Sequence, residues 1–195
     1  MTERFGEVLE SSTTQFTVGC LELYQAPALG SLVRARAGEG WVYGLVAQVE
    51  TGSEPPGGYV AVRSREGLAD EDIYREFPDL PSVMRTRLQA LVVGFREGDA
   101  IRQYLPPAPP RLHYSVYACD AAEVTAFTEQ LGYLRTVLAG LPESQADEVL
   151  AAHIREARQT RPDAEAFSLR AGRQAARLLQ DDYDRLRAIL QRIRP

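Results

Sequence analysis

The sequence predicts an α+β protein in which a small closed β-barrel, residues 1–119, is followed by a helical region, residues 120–195. In the first part, apolar and polar residues alternate over short segments that turn residues separate, as in half-buried strands. After Asp120 the apolar residues recur every three or four positions, as in helices that pack as a bundle or hairpin. Hydrophobic residues make up 45% of the 195 residues. That is enough for one core or two small ones.

Short alternating or β-branched segments fill the first part. We expect strands at residues 4–9, 16–23, 32–37, 41–49, 59–62, 88–95, 100–105 and 113–119. In the third of these, Leu32, Arg34 and Arg36 share one face. Gly44 in the middle of the fourth indicates a bulge or a sharp corner. Strands that are this short and this closely spaced favour a closed barrel over an open sheet, because closure removes exposed edges.

The helical region is predicted to hold about three helices. Asp120 is a suitable N-cap for the first, which ends at Gly140. The second is expected at residues 143–159, and the third follows Pro162, a favourable first-turn residue. Within the barrel part, residues 68–81 depart from the strand pattern and can form a short additional helix.

Two of these helices carry apolar seams with spacings of three and four residues. This spacing is typical of a helix that pairs with another helix. The seam residues are Val124, Phe127, Leu131, Leu134 and Leu138 in the first helix and Leu179, Tyr183, Leu186, Leu190 and Ile193 in the third. Such seams either pack on each other within the chain or face a partner chain. A helical region of this size buries limited surface alone, which makes association attractive.

Five segments of the first part resemble a known small barrel. They are RFGEVLESSTTQFTV at residues 4–18, LGSLV at 29–33, VYGLVAQV at 42–49, LVVGF at 91–95 and PPAPP at 106–110. Their order and spacing are similar to the HAS barrel, the small N-terminal β-barrel of HerA-type DNA-translocating ATPases and of the catalytic subunits of rotary ATP synthases. The resemblance covers about residues 4–119. It implies a barrel that serves as a docking surface in a ring assembly.

The chain departs from that family in its ATPase part. The sequence has no G-x-x-x-x-G-K-[ST] motif, and it contains no lysine that such a nucleotide-binding loop needs. Residues 70–84 also differ from the family's pattern. The resemblance therefore implies the docking role without the ATPase activity.

The cysteines and histidines indicate no catalytic chemistry. Cys20, Cys119, His113 and His153 lie apart in sequence and form no metal-binding or nucleophilic motif. We therefore expect a protein that is not an enzyme and that holds neither a cofactor nor a metal ion.

Charge and hydropathy predict the location of the protein in the cell and exclude some classes of partner. No apolar run reaches the roughly 18 residues of a membrane span. The segment after Met1 lacks the basic and apolar regions of a secretory signal. We expect a cytoplasmic protein without a membrane partner. The net charge of −5 argues against a general nucleic-acid binder.

Two functions agree with these observations. The first is a non-catalytic assembly or adaptor protein, whose partner is a second copy of the chain or another protein such as a ring ATPase. The second is a DNA-associated accessory factor that works with a HerA-type translocase. Residues 170–195 contain seven arginines and three acids, and Arg170, Arg173 and Arg177 lie on one helix face, where they can contact phosphates. A charged run of this kind is also the ordinary solvated face of an amphipathic helix.

Overall fold

The computed structural model describes residues 4–53 and 68–193. The strands are β1 (Arg4–Ser11), β2 (Gln15–Cys20), β3 (Leu32–Ala37), β4 (Gly40–Ser53), β5 (Met84–Glu97), β6 (Ala100–Arg102) and β7 (Ser115–Ala118). All pairings are antiparallel and follow the order β1-β2-β5-β4-β3-β7, and β7 returns to β1, which confirms the predicted closed barrel. β6 pairs with the C-terminal end of β5, past the residues of β5 with which β2 pairs. The strand predicted at residues 59–62 lies outside the described residues.

Small and β-branched side chains fill the barrel interior. They include Val8, Val18, Val33, Ala35, Val46, Ala90, Val92 and Val116. At the predicted bulge the pairing of β4 shifts next to Gly44. An added Cβ at Gly44 would lie 2.8 Å from Cε1 of Phe16 and 2.9 Å from Cβ of Ala90. Glycine is needed there because the Phe16 ring packs against the backbone of β4.

The helices exceed the predicted number. Between β4 and β5 lie a 3-10 turn (Asp70–Asp72) and two one-turn helices, α1 (Ile73–Glu76) and α2 (Leu80–Val83). After β7 come α3 (Ala121–Phe127), α4 (Leu134–Gly140), α5 (Glu143–Gln159), α6 (Ala164–Leu178) and α7 (Tyr183–Ile193). The prediction of about three helices was therefore too low, although α5 has the predicted bounds. None of the helices in residues 4–53 and 68–193 is long and apolar enough to cross a membrane.

The first predicted helix is divided into α3 and α4 because a distant side chain caps the break. The Gln103 amide nitrogen donates to the carbonyl oxygens of Phe127 (2.8 Å) and Gln130 (2.9 Å). Its amide oxygen accepts a hydrogen bond from the backbone N–H of Tyr133 at 3.2 Å. These bonds satisfy polar groups that a helix end leaves unpaired. The apolar spacing alone does not reveal this tertiary contact.

The third predicted helix is divided into α6 and α7 by a turn at residues 179–182. Oδ1 of Asp182 accepts a hydrogen bond from the backbone N–H of Arg185 at 3.1 Å, as an N-cap does. The buried face of α7 contains Ile189, whereas Tyr183, a member of the predicted seam, is 73% exposed. The seam therefore does not continue unbroken across the turn.

One apolar layer joins the outer face of the barrel to the helices. Leu45 and Val93 of the barrel lie in the same core as side chains from α3 to α7. The Phe127 ring of α3 lies 5.0 Å from the Tyr43 ring and 5.1 Å from the Tyr133 ring, centroid to centroid. The boundary predicted near residue 119 falls between β7 and α3. Across this boundary, barrel and helices share one core.

Buried hydrogen bonds hold α5 against the start of β3. Nδ1 of His153 donates to the Gly30 carbonyl oxygen at 2.8 Å, and Nε2 accepts from the Tyr133 hydroxyl at 2.8 Å. Burial lowers the pKa of His153 to about 4, so this imidazole is neutral at pH 7. The Ser31 hydroxyl donates to Oε1 of Glu156 at 2.8 Å, and burial raises the pKa of Glu156. These contacts fix the helical layer relative to β3.

Candidate functional site

The helices cover only part of the outer barrel face. On β4, Tyr43 is 1% exposed, whereas Trp41, two residues earlier on the same face, is half-buried. On β3, Arg34 is half-buried and Arg36 is exposed. β7 places Tyr117 opposite Arg34. We name Arg34, Arg36, Trp41 and Tyr117 the Trp41 patch.

Trp41 lies at the centre of this patch. The guanidinium carbon of Arg34 lies 4.3 Å from the indole ring centroid, and that of Arg36 lies 4.9 Å from it. The Tyr117 ring packs edge to face, with the two centroids 5.9 Å apart. A cation within about 6 Å of a tryptophan ring is attracted by the ring's π electrons. The patch therefore combines an ordered aromatic surface with positive charge.

An ion pair with α3 holds Arg34 in place. Nη1 of Arg34 lies 2.7 Å from Oε1 of Glu123, and both side chains are 14% exposed. Glu123 belongs to the first turn of α3, where Oδ1 of Asp120 accepts its backbone N–H at 3.0 Å. This cap confirms the prediction for Asp120. The helical layer thus positions one of the two arginines that contact Trp41.

Trp41 also lines two grooves. The first, which we name the hairpin groove, has a volume of about 360 Å³ and lies between the β3–β4 and β5–β6 turns. Its apolar lining consists of Ala37, Val42, Phe95, Pro106, Pro107 and Ala108. Its charged lining residues are Glu39, Arg96 and Glu97. The volume is near the lower end of the roughly 300–1,000 Å³ typical of ligand pockets.

On its other side Trp41 lines a second groove, which we name the arginine–aromatic groove. The remaining lining residues are Arg36, His113, Tyr114, Ser115 and Tyr117. Arg111 extends the groove's positive charge, since its Nη1 donates to the Tyr114 hydroxyl at 3.3 Å. Neither Arg36 nor Arg111 forms an ion pair with a residue in the described ranges. The lining contains no carboxylate, and Glu7 lies beside it at His113. The two guanidinium groups exceed this single negative charge, so the local charge is positive.

His113 holds a strained backbone conformation at this groove. Its φ is 62°, in the left-handed region, which costs a residue other than glycine about 1 kcal/mol or more. The His113 N–H donates to the Val8 carbonyl at 2.8 Å, and its Nδ1 lies 3.3 Å from Oε1 of Glu7. This conformation directs the chain into β7, so that Tyr114 and Ser115 line the groove. Strain held in this way is common at functional sites.

The two cysteines are poorly suited to nucleophilic chemistry. Burial raises the pKa of the Cys20 thiol to about 11, and it also raises the pKa of Cys119. Both thiols are therefore protonated at neutral pH. Within residues 4–53 and 68–193, no three His, Cys, Asp or Glu side chains are grouped to hold a metal ion. That the chain is not an enzyme and binds no cofactor stays a prediction.

The predicted partner seams lie mainly inside the molecule. The buried members are Val124, Phe127, Leu134, Leu179 and Ile193, and the partly buried ones are Leu131, Leu138, Leu186 and Leu190. All of them pack in or against the core shared with the barrel. Of the seam residues, only Tyr183 is largely exposed. The spacing thus corresponds, at the other positions, to packing within this chain.

The predicted phosphate-binding arginines lie on the exposed face of α6. Arg170, Arg173 and Arg177 are all exposed. Arg170 lies 3.6 Å from a carboxylate oxygen of Asp163, whereas Arg173 and Arg177 form no ion pair with a described residue. Two arginines of α7 bind carboxylates of α5 at 2.7 Å. Part of the positive charge of the last segment is therefore neutralised within the fold.

The sequence contained one signal for the Trp41 patch. The alternation in β3 places Arg34 and Arg36 on the same face as Leu32. A strand face that begins with an apolar residue and continues with arginines indicates that other elements cover only its first part. Trp41 and Tyr117 join them only through the pairing of Arg36 with Trp41 and of Arg34 with Tyr117. That register is a tertiary property, so the complete patch was not predicted.

A comparison with models of protein families finds none that matches this chain, and a search of curated proteins finds no similar sequence. The resemblance to the HAS barrel thus stays a prediction that depends on the five segments in residues 4–119. Function has to be argued from the chemistry of the site itself.

Proposed function

We propose that this protein is a non-catalytic adaptor that binds another protein through the Trp41 patch. The observation that carries the proposal is a tryptophan ring packed by two guanidinium groups and a tyrosine, on the part of the barrel face that the helices leave open. Tryptophan, tyrosine and arginine are the residues in which the binding energy of protein interfaces concentrates. Because Glu123 already orders Arg34, binding costs less side-chain entropy there.

In this proposal the helices support the binding surface. Their apolar residues are used in the core shared with β4 and β5. Each of the six barrel strands has a hydrogen-bonded neighbour on both sides, and among the described strands β6 is the one that ends the sheet. β6 has only three residues, Ala100–Arg102, so it offers little backbone to which a partner strand can add. In this proposal the side chains of the open face are therefore the means of recognition.

The resemblance to the HAS barrel suggests which partners to test first. In that family the barrel is a docking surface of ring-forming motor proteins. A ring ATPase is therefore the first partner to test, and a second copy of this chain is the second. An adaptor of this kind requires no nucleotide-binding loop of its own.

Photo-crosslinking in cells of the organism that encodes the chain tests the proposal. Benzoylphenylalanine replaces Tyr114 in the arginine–aromatic groove or, in a separate variant, Tyr183 on α7. We expect a defined crosslinked protein from position 114 that Arg36→Glu removes and Arg187→Glu, at an exposed arginine of α7, retains. A product of twice 21.6 kDa identifies a second copy of the chain as the partner.

Circular dichroism must show that both charge variants fold as the wild type does. A crosslink from position 183 alone contradicts docking on the Trp41 patch and favours the seam of α7 instead. A crosslink from position 114 that survives Arg36→Glu, or none at all, also contradicts the proposal.

A second candidate function is a DNA-associated accessory factor that works with a HerA-type translocase. It is favoured by Arg173 and Arg177, which are exposed and form no ion pair with described residues, beside Arg170 on the same face. Three phosphate contacts predict a slope of about −2.7 for the logarithm of the DNA-binding constant against the logarithm of salt concentration. Fluorescence anisotropy with labelled duplex DNA measures this slope, and replacing all three arginines by glutamine should abolish binding. No binding at low salt excludes this function.

A further inference from the structure

We infer that the Trp41 patch binds an acidic peptide segment of its partner, with an apolar side chain in the hairpin groove and carboxylates over the arginine–aromatic groove. The inference rests on the proposed function and adds to it the chemical class of the partner segment. Trp41 lines both grooves, so a single extended segment that crosses the indole reaches both.

The hairpin groove is shaped for an apolar side chain. The side chains of Val42, Phe95 and Pro106 supply apolar lining within its volume of about 360 Å³. At the two turns beside it, Gly38 and Gly98 have φ values of 59° and 57°, and an added Cβ at either would meet nothing within 4 Å. The space next to both turns is therefore open to a partner's backbone. Burial of one apolar side chain in this groove would anchor the segment.

The arginine–aromatic groove supplies the charge complementarity. Arg36 lines it and Arg111 lies beside it, and neither is neutralised by a carboxylate of the described residues. The chain as a whole carries a net charge of −5, so this positive site is a local exception to an acidic protein. Carboxylates of a partner form charge-assisted hydrogen bonds with guanidinium groups, often two at once.

A nucleic acid fits the same surface less well. Bases stack on open aromatic faces, whereas the Trp41 ring already has Arg34, Arg36 and Tyr117 packed against it. A phosphate chain that continues past Trp41 also meets the carboxylates of Glu39 and Glu97 in the hairpin groove. A peptide avoids this repulsion, because its negative charge can be confined to the part that lies over the arginines.

The chain contains its own probe for this site. Trp41 is the only tryptophan, so its fluorescence reports on both grooves. The full-length protein is immobilised and used to select from a random dodecapeptide display library. Selected sequences are synthesised without tryptophan and titrated against the protein in solution. For each one, a matched peptide has its acids replaced by the corresponding amides, and another has its apolar anchor replaced by alanine.

We expect selected peptides to share an apolar residue next to two or more acids. Either matched replacement should raise Kd at least tenfold. Arg36→Glu should also raise Kd at least tenfold, and Ala108→Gln, which extends a polar side chain into the hairpin groove, should raise it several-fold. The control Arg187→Glu, at an exposed arginine of α7, should leave Kd unchanged.

Four outcomes overturn the inference. They are a selection that enriches no sequence, selected peptides without acids, binding that Arg36→Glu does not weaken, and an oligothymidine that binds the patch more tightly than the selected peptides. The proposed function is tested separately by the crosslink from position 114. If that crosslink persists while acidic peptides fail, only the present inference is wrong, and if both fail, the patch is not a docking site.

Discussion

Tyr43 and Trp41 lie two residues apart on the same face of β4, yet only Tyr43 is covered by helices. Tyr43 packs against Phe127 of α3, and burial raises the pKa of its hydroxyl to about 12. Trp41 packs against arginine side chains and remains half-buried. The helical layer thus ends between these two residues. Where it ends, apolar packing gives way to arginine and aromatic contacts, so one barrel face serves both as a core surface and as an open surface.

Phe127→Ala should have the largest effect on stability, because it opens a cavity in the covered half. Phe127 is fully buried between Tyr43 and Tyr133. We expect a loss of about 3–5 kcal/mol in the free energy of unfolding, measured by denaturant unfolding followed by circular dichroism. The matched variant in the open half, Trp41→Ala, should cost about 1–2 kcal/mol, since it removes two cation–π contacts and half-buried surface. Equal losses would show that the two halves do not differ as described.

Glu123→Ala should have the next largest effect, because it removes the carboxylate that lies 2.7 Å from the half-buried Arg34 at the border between the halves. Removing one member of a fully buried pair costs about 3–5 kcal/mol. With side chains that are 14% exposed, we expect about 2–3 kcal/mol. The same denaturation experiment on the double variant Glu123→Ala, Arg34→Met should recover part of this loss. If the double variant is less stable than Glu123→Ala, the positive charge of Arg34 is not the cause of the loss.

Stability should also depend on pH through His153, which is buried where the helices cover the barrel. Its pKa is lowered from 6.5 to about 4 in the folded protein, so as pH falls the unfolded chain takes up the proton first. The resulting stabilisation is complete above pH 6.5 and is lost between pH 6.5 and about 4, by up to about 1.4 kcal/mol per pH unit. Between pH 7 and pH 5 the wild type should lose about 2 kcal/mol more of its free energy of unfolding than the variant His153→Gln. Denaturation of both proteins at the two pH values measures this difference.

Glu156 makes stability change with pH in the opposite direction. Burial raises its pKa, so its ionisation as pH rises is less favourable in the folded than in the unfolded chain. The difference between the wild-type and His153→Gln profiles isolates the histidine. Identical pH profiles would contradict the assignment of a neutral buried imidazole.

Tyr183→Ala should have the smallest effect. Although the apolar spacing placed Tyr183 in a seam, its side chain is 73% exposed. We expect a change within about 0.5 kcal/mol in thermal or denaturant unfolding. The comparison variant Ile189→Ala, at a fully buried position of the same helix, should lose about 2–5 kcal/mol. A large loss for Tyr183→Ala would mean that its ring is covered in solution, as contact with a second copy would cause.

Local patterns predicted several elements well and helix continuity poorly. The bounds of α5, the N-cap at Asp120 and the bulge at Gly44 all follow from residues close in sequence, and the structure contains each of them. The break between α3 and α4 depends on Gln103, a side chain that precedes α3 by 18 residues. An uninterrupted apolar spacing cannot report such a distant cap. This break accounts for one of the two additional helices after β7, and the other comes from the turn at residues 179–182, where Asp182 caps α7.

The sequence by itself determined the α+β class, the closure of short strands into a barrel and the change to helices after Asp120. These properties follow from the periods of apolar residues and from turn and capping chemistry, which are local. Only the tertiary structure decided which half of the outer barrel face the helices cover and that Trp41, Arg36 and Tyr117 meet on the other half. The reason is that strand register and helix placement are set by contacts between residues far apart in the chain, and the candidate site exists only where those contacts stop.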